Sequence, residues 1–120
     1  MKKRILVVDD DNMNLARTKT ILSKEYDVLL AESGIQALET LKYMKVDMVL
    51  LDIDMPEMDG LETFERMKGI ASEIPVFFLT ASGLEEDVIS AIKLGAVNYL
   101  KKPFRPQELL KRVAQEFEKQ

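Results

Sequence analysis

Five short apolar runs alternate along the chain with segments that carry a helical spacing of apolar residues. The runs are rich in Val, Ile and Leu, and most of them are continuous, which is typical of strands buried on both faces of a parallel sheet. They occupy residues 5–8, 28–31, 48–51, 76–79 and 97–100. We therefore predict five β-strands at these positions.

A helical segment follows each of the five runs. Ser33 and Asp59 are good N-cap residues for the second and third helices, and Pro106 suits the first turn of the fifth. The first helix, over residues 12–24, has only a thin apolar stripe. The stripes of the other four helices are formed by Ala37, Leu38, Leu41 and Met44; by Leu61, Phe64 and Met67; by Leu84, Val88, Ala91 and Ile92; and by Leu109, Leu110, Val113 and Phe117.

The repeated order of strand and helix predicts the fold class. Right-handed crossovers between parallel strands place helices on both faces of one sheet. We therefore predict an α/β protein with a doubly wound parallel sheet, folded as one domain over residues 1–120.

The composition excludes several kinds of chemistry. The 120 residues include no His and no Cys, so a Ser-His-Asp relay, a disulfide or a thiolate zinc site cannot form. The 17 Lys and Arg against 21 Asp and Glu give a net charge of −4, which argues against direct nucleic-acid binding by this domain. The apolar run at 5–8 is too short for a signal peptide or a membrane span, so we expect a cytoplasmic protein.

Polar residues converge at one edge of the predicted sheet. Open α/β sheets bind ligands at the carboxyl ends of their strands. Acids, a hydroxyl group and a lysine amine are therefore expected to meet there. The residues that follow the five strands in chain order are Asp9, Asp10 and Asp11; Glu32; Asp52 and Asp54; Thr80; and Lys101 and Lys102.

This set of side chains suits a divalent cation and a phosphoryl group. Carboxylates within about 4–6 Å of one another repel, and Mg²⁺ relieves that repulsion while also taking phosphate oxygens as ligands. Lys102 and Thr80 can donate to the remaining phosphoryl oxygens. Asp52 ends the strand that we expect at the centre of the sheet, so it is the best candidate for a nucleophile that forms an aspartyl phosphate. Asp11 and Asp59 are interpreted as helix caps.

Four motifs together resemble the receiver domain of bacterial two-component response regulators, of the chemotaxis-regulator type. They are Val-Val-Asp-Asp at 7–10, Leu-Asp-Ile-Asp-Met-Pro-Glu-Met-Asp-Gly at 51–60, Leu-Thr-Ala at 79–81 and Lys-Pro-Phe at 102–104. The resemblance extends over essentially the whole chain. It implies a flavodoxin-like (βα)5 sheet with the strand order 2-1-3-4-5.

The resemblance also implies a Mg²⁺ site and a phosphorylation site. Asp52 is the implied phospho-acceptor, and it binds Mg²⁺ directly together with Asp10. The backbone carbonyl of Asp54 is the implied third ligand, and Asp9 acts mainly through water. Lys102 is expected to contact the phosphoryl oxygens.

A conformational switch is implied at the same edge of the sheet. Thr80 is expected to move toward the phosphoryl group, and Tyr99 to turn inward into the space that Thr80 leaves. The surface of the fourth helix, fifth strand and fifth helix changes as a result. The peptide bond between Lys102 and Pro103 is expected to be cis.

Partners follow from the same resemblance. A sensor histidine kinase, a phosphotransfer protein or a small acyl phosphate is the expected phosphoryl donor. An output domain, a separate effector and a second copy of the chain on phosphorylation all stay open as receivers of the signal. The domain is expected to catalyse only its own phosphorylation and dephosphorylation, and not to act as an enzyme in the ordinary sense.

Some positions depart from the sequence pattern that is usual in receiver domains. The charged side chain of Asp54 and the hydroxyl of Ser82, two residues after Thr80, are both expected to tune hydrolysis of the acyl phosphate. The sequence Gly-Ala-Val-Asn-Tyr at 95–99 lacks the acidic pair that many DNA-binding regulators carry, which disfavours their particular receiver dimer.

The sequence is also compatible with two alternative functions. The sequence Asp-Ile-Asp at 52–54 also matches the nucleophile motif of haloacid-dehalogenase-like phosphatases, although that motif normally ends the first strand of a longer chain. A pseudo-receiver, which binds a partner without ever being phosphorylated, is the second alternative. The complete set of acids, hydroxyl and lysine argues against it.

Overall fold

The computed structural model describes residues 2–81, 93, 95 and 98–119. Its strands are β1 (Arg4–Val8), β2 (Asp27–Ala31), β3 (Met48–Asp52), β4 (Val76–Thr80) and β5 (Asn98–Lys101). The helices in the described part of the chain are α1 (Asn12–Leu22), α2 (Gly34–Tyr43), α3 (Gly60–Met67) and a C-terminal helix (Pro106–Lys119). The fourth predicted helix, at 84–92, and Ser82 lie outside the described residues.

The strands form one parallel sheet in the order β2-β1-β3-β4-β5. This confirms the strand order that the resemblance implied. The central strand is β3, in which Leu51 pairs with Val8 of β1 on one side and with Phe78 of β4 on the other. The carboxyl ends of β1, β3 and β4 therefore lie next to one another.

The core consists of two layers, one on each face of the sheet. Alternation of side chains along a strand sends neighbouring residues to opposite faces, so the continuous apolar runs of the central strands fill both layers. The layer beneath α2 and α3 includes Leu6, Val8, Val49, Leu51, Phe64, Met67 and Phe78. The layer beneath α1 and the C-terminal helix includes Ile5, Val7, Leu15, Leu50, Phe77, Leu109 and Val113.

The two edge strands are less buried than the central ones. Leu30 of β2 is 39% exposed and Tyr99 of β5 is 37% exposed. The apolar run at 28–31 therefore lines an edge of the sheet, and burial on both faces is limited to β1, β3 and β4.

Polar side chains cap the first three helices. The backbone N–H groups of Met13 and Asn14 donate to the Asp11 carboxylate. Ser33 and Asp59 accept from N–H groups in the first turns of α2 and α3. These contacts confirm the predicted caps, because each satisfies backbone donors that have no partner within the helix.

The remaining differences from the predicted boundaries are small. Helix α1 ends at Leu22, two residues before the predicted end, whereas β3 and β4 extend far enough to include Asp52 and Thr80. Among the described helices, none has both the length and the apolar character needed to cross a bilayer.

Candidate functional site

Three aspartates meet where β1 and β3 end. Asp9 follows β1 and is 2% exposed, Asp52 ends β3 and is 4% exposed, and Asp10 lies at the solvent boundary of the site. One carboxylate oxygen from each of the three lies within 4.8 Å of the others. The structure therefore brings together the acids that the sequence assigned to one edge of the sheet.

Lys102 enters this site from the end of β5. Its Nζ atom donates a hydrogen bond of 2.7 Å to Oδ2 of Asp9 and lies 3.5 Å from Oδ2 of Asp52. The backbone N–H of Lys102 donates to the carbonyl of Thr80 over 2.7 Å, which continues the pairing of β4 and β5. The peptide bond that follows, between Lys102 and Pro103, is cis. The sequence predicted a contact of Lys102 with the phosphoryl oxygens and gave no sign of its short contact with Asp9.

Backbone N–H groups orient the two buried carboxylates. The N–H of Asp54 donates to Oδ1 of Asp52 over 3.2 Å, and the N–H of Asp11 donates to Oδ1 of Asp9 over 3.0 Å. In each case the donor lies two residues after the carboxylate, where the chain turns out of its strand. The second oxygen of each carboxylate faces Lys102.

Gly60 fits closely against the backbone of Asp52. A Cβ atom at position 60 would collide with the carbonyl oxygen of Asp52. The N–H of Gly60 donates to the carbonyl of Ile53, and the N–H of Ile53 donates to the carbonyl of Leu79. These contacts fix the loop after Asp52 against α3 on one side and β4 on the other.

The electrostatics of the site are dominated by the burial of Asp52. Burial raises the pKa of the Asp52 carboxyl from 3.8 to about 7; the ammonium group of Lys102 acts against this rise, and the carboxylate of Asp9 adds to it. An ionised Asp52 is therefore costly to the folded domain until a further cation shares the site.

The donor set fits Mg²⁺. Carboxylate oxygens are the ligands that this hard cation prefers, and it is usually held by one or two protein carboxylates together with water and phosphate oxygens. Asp10 and Asp52 can each offer one oxygen, and Asp54, whose carbonyl the resemblance implied as the third ligand, is exposed two residues after Asp52.

Thr80 and Tyr99 lie on neighbouring strands at the same end of the sheet. Thr80 is 1% exposed, and Tyr99 of β5 is 37% exposed. The register pairs Thr80 with Lys101, two residues after Tyr99. The two predicted switch residues are thus close along the sheet, with the tyrosine on its outer edge.

Arg17 lies near the site, although no sequence motif indicated a role for it. Its Nη2 atom donates to the carbonyl of Phe104 over 2.9 Å, and its guanidinium lies over the Phe104 ring. A cavity of about 300 Å³ separates α1 from the segment 102–104 at this place. Nothing in a single sequence marks this arginine, because a basic residue on an exposed helix face is the ordinary case.

The chain is similar to response regulators in sequence and structure. It is 38% identical over 114 residues to the response regulator MprA of Mycobacterium tuberculosis, an alignment that covers 94% of this chain and 50% of that protein. The chain thus spans about half the length of this relative. A CheY-like receiver domain protein of Methanospirillum hungatei matches with a TM-score of 0.94 and 29% identity, covering 99% of this chain and 96% of that one.

A receiver domain in an activated state is also similar. The BeF₃-activated receiver domain of DrrB, from Thermotoga maritima, matches with a TM-score of 0.90 and 31% identity over 98% of this chain and 99% of that one. The family model of the response regulator receiver domain matches residues 5–114. The chain belongs to this family, the receiver domains of two-component response regulators.

Proposed function

We propose that this receiver domain is switched by phosphorylation of Asp52. The observation that carries the proposal is the buried carboxylate of Asp52 at the centre of the sheet, with Asp9 and Asp10 within 4.8 Å and the amine of Lys102 at 3.5 Å. A nucleophile needs such neighbours, because they orient it and stabilise the charge of the incoming phosphoryl group. We propose that the receiver domain extends over residues 1–120.

The transfer step is a displacement at phosphorus. A carboxylate oxygen of Asp52 forms a bond to phosphorus, while the bond from phosphorus to the donor atom breaks and the leaving group takes the bonding electron pair. The donor atom is the ring nitrogen of a phosphohistidine or the bridging oxygen of an acyl phosphate. The N–H of Asp54 holds Oδ1 of Asp52, and Oδ2 faces Lys102, whose ammonium group then contacts the phosphoryl oxygens.

The acidic cluster is proposed to hold one Mg²⁺ ion. Asp10, Asp52 and the backbone carbonyl of Asp54 are the proposed ligands, with Asp9 acting through water. When bound, the ion supplies positive charge that offsets both the carboxylates and the phosphoryl oxygens. Asp9 keeps Lys102 at the site through their 2.7 Å contact.

The output of the switch is proposed to pass through Thr80 and Tyr99. Movement of Thr80 toward the phosphoryl group leaves room for Tyr99 to turn inward, which changes the outer face of β5 and of the helices beside it. Phosphorylation must supply about 5.5 kcal/mol of differential interaction to move the population from 1:99 to 99:1. The side chain of Tyr99 is exposed in this structure, and it is the part of the surface that partners would recognise.

A histidine kinase or phosphotransfer protein is the proposed donor in the cell. An output domain or a separate effector is the proposed receiver of the signal, since the chain spans about half the length of its curated relatives. The receiver family assignment speaks against the phosphatase alternative, for which repeated turnover of a phosphomonoester would be required.

Chemical labelling tests the proposal. The chain is incubated with acetyl phosphate and Mg²⁺, and intact mass is measured, followed by peptide mapping. We expect one phosphoryl group per chain, stable in acid and labile in base, on Asp52. The Asp11→Asn variant is the matched control, because asparagine retains the helix cap and the label should remain.

Two outcomes would contradict the proposal. Labelling of the Asp52→Asn variant to the level of the parent would place the phosphoryl group elsewhere. A parent chain that takes up no label, and whose spectrum does not respond to the donor, would identify a pseudo-receiver.

A further inference from the structure

The loop after β5, which carries Lys102, is fixed at its two ends and is only partly packed against α1. The backbone N–H of Lys102 is fixed by the carbonyl of Thr80, and the carbonyl of Arg105 is fixed by the first N–H groups of the C-terminal helix. Between these two points lies Pro103, which has no N–H to donate. Among the described residues, a cavity of about 300 Å³ lies between α1 and this segment, so α1 packs against the segment only in part.

Arg17 bridges this gap. Its guanidinium comes from α1, donates to the carbonyl of Phe104 over 2.9 Å and lies with its Cζ atom 5.3 Å from the centre of the Phe104 ring. The Phe104 ring itself is 5% exposed and packs into the core layer with Leu109 and Val113. Arg17 therefore holds the backbone of Phe104 from the solvent side while the core holds its ring.

The two segments that Arg17 joins are those that supply the site. Helix α1 starts directly after Asp9, Asp10 and Asp11, and Phe104 lies two residues after Lys102. A shift of the loop away from α1 would lengthen the 2.7 Å contact between Lys102 and Asp9. A displacement on the order of 1 Å in a reacting group can change a rate by up to a hundredfold.

We propose that Arg17 is a positioning residue for phosphoryl transfer, which clamps the loop after β5 to α1 and so keeps the amine of Lys102 against Asp9 and Asp52. This inference rests on the proposed function. Arg17 is not a ligand or a donor to the phosphoryl group itself. Its effect requires the planar guanidinium, because one group makes both the hydrogen bond and the stacking contact.

The test uses two variants. Arg17→Met retains the length of the side chain and removes its hydrogen-bond donors. Arg17→Lys retains a donor but lacks the planar guanidinium group. Rates of Asp52 labelling are measured against acetyl phosphate and Mg²⁺ concentration. We expect Arg17→Met to lower the maximal rate about tenfold without changing Mg²⁺ affinity or the half-saturating donor concentration. Arg17→Lys should restore part of the rate.

Two controls separate positioning from a general effect on the fold. Arg66→Met removes an exposed arginine of α3 that pairs with Glu62, and it should leave the rate unchanged. In a Lys102→Ala background, Arg17→Met should cause no further loss, because the two residues act through one step. The ¹H–¹⁵N resonance of the Lys102 ammonium group should shift in Arg17→Met and stay in place in Arg66→Met.

Each contrary outcome has a distinct meaning. A parental rate in Arg17→Met, or the same tenfold loss with Lys102 already absent, would overturn the positioning role. If the parent itself takes up no label on Asp52, the proposed function fails. The Lys102 resonance then still decides whether Arg17 positions that amine, and an unshifted resonance overturns the inference.

Discussion

The Asp52→Asn substitution removes the charge of a buried carboxylate, the proposed phospho-acceptor, and retains its shape. The amide oxygen can still accept from the N–H of Asp54, and Lys102 retains its 2.7 Å contact with Asp9. The substitution removes the ionised carboxylate of Asp52, which is poorly solvated and lies beside the carboxylate of Asp9. We therefore expect the metal-free variant to be more stable than the parent above neutral pH.

The size of the effect follows from the pKa of Asp52. A rise of that pKa from 3.8 to about 7 corresponds to about 4 kcal/mol against the ionised form. Solvent reaches the site through the exposed Asp10, and screening reduces the expected gain on substitution to about 2 kcal/mol.

The sign of the pH dependence follows from linkage. Because the folded pKa is raised, the folded state binds the proton more tightly than the unfolded state, and this contribution to stability is fully present below about pH 4. It is lost as the pH rises through about 7. The stability difference between the variant and the parent should therefore be small at pH 4 and reach its full value at pH 8.

Urea denaturation in the presence of EDTA measures this difference. Both proteins are unfolded at several pH values between 4 and 8, and the midpoints are compared at equal m-values. Asp11→Asn serves as the control, since it also removes one negative charge near the site and should show no such pH-dependent gain. A variant that is equal to or less stable than the parent at pH 8 would refute the reasoning.

Three further substitutions test the structure around the site. Asp59→Ala removes the cap of α3 and should lower stability by about 1 kcal/mol, measured by urea denaturation, whereas Asp59→Asn should cost little. Gly60→Ala forces a Cβ against the carbonyl of Asp52 and should lower stability by about 2 kcal/mol; a neutral effect in the same assay would contradict the close approach. Thr80→Ala should leave Asp52 able to take up the phosphoryl group but weaken the response of Tyr99. Equal phosphorylation-dependent NMR shifts of Tyr99 in variant and parent would exclude the proposed coupling.

The core strands were predictable because strands that are buried on both faces consist of consecutive apolar residues. In β1, β3 and β4 both faces are covered, so every residue of the run is apolar and the run stands out from its surroundings. Helix caps were predictable for a similar reason, since Ser33 and Asp59 satisfy backbone donors only a few residues away. The convergence of Asp9, Asp52 and Lys102 followed from topology, because parallel strands bring their carboxyl ends to one edge.

Contacts between distant segments were not predictable. The pairing of Lys102 with Asp9 depends on side-chain torsions over a sequence separation of 93 residues. The contact of Arg17 with Phe104 depends on the distance between α1 and the loop after β5, which no local pattern encodes. The exposure of Leu30 likewise reflects the position of β2 at the edge of the sheet, and an apolar run alone does not show which strand is outermost.

A titration of the metal-free domain with Mg²⁺, followed through backbone amide NMR shifts, tests most directly whether these acids form one cation site. We expect saturable shifts concentrated at the amides of Asp10, Asp52 and Asp54, and a loss of affinity of more than about tenfold in Asp52→Asn. Shifts that do not saturate, that spread over the whole acidic surface, or that persist with unchanged affinity in that variant would contradict the account.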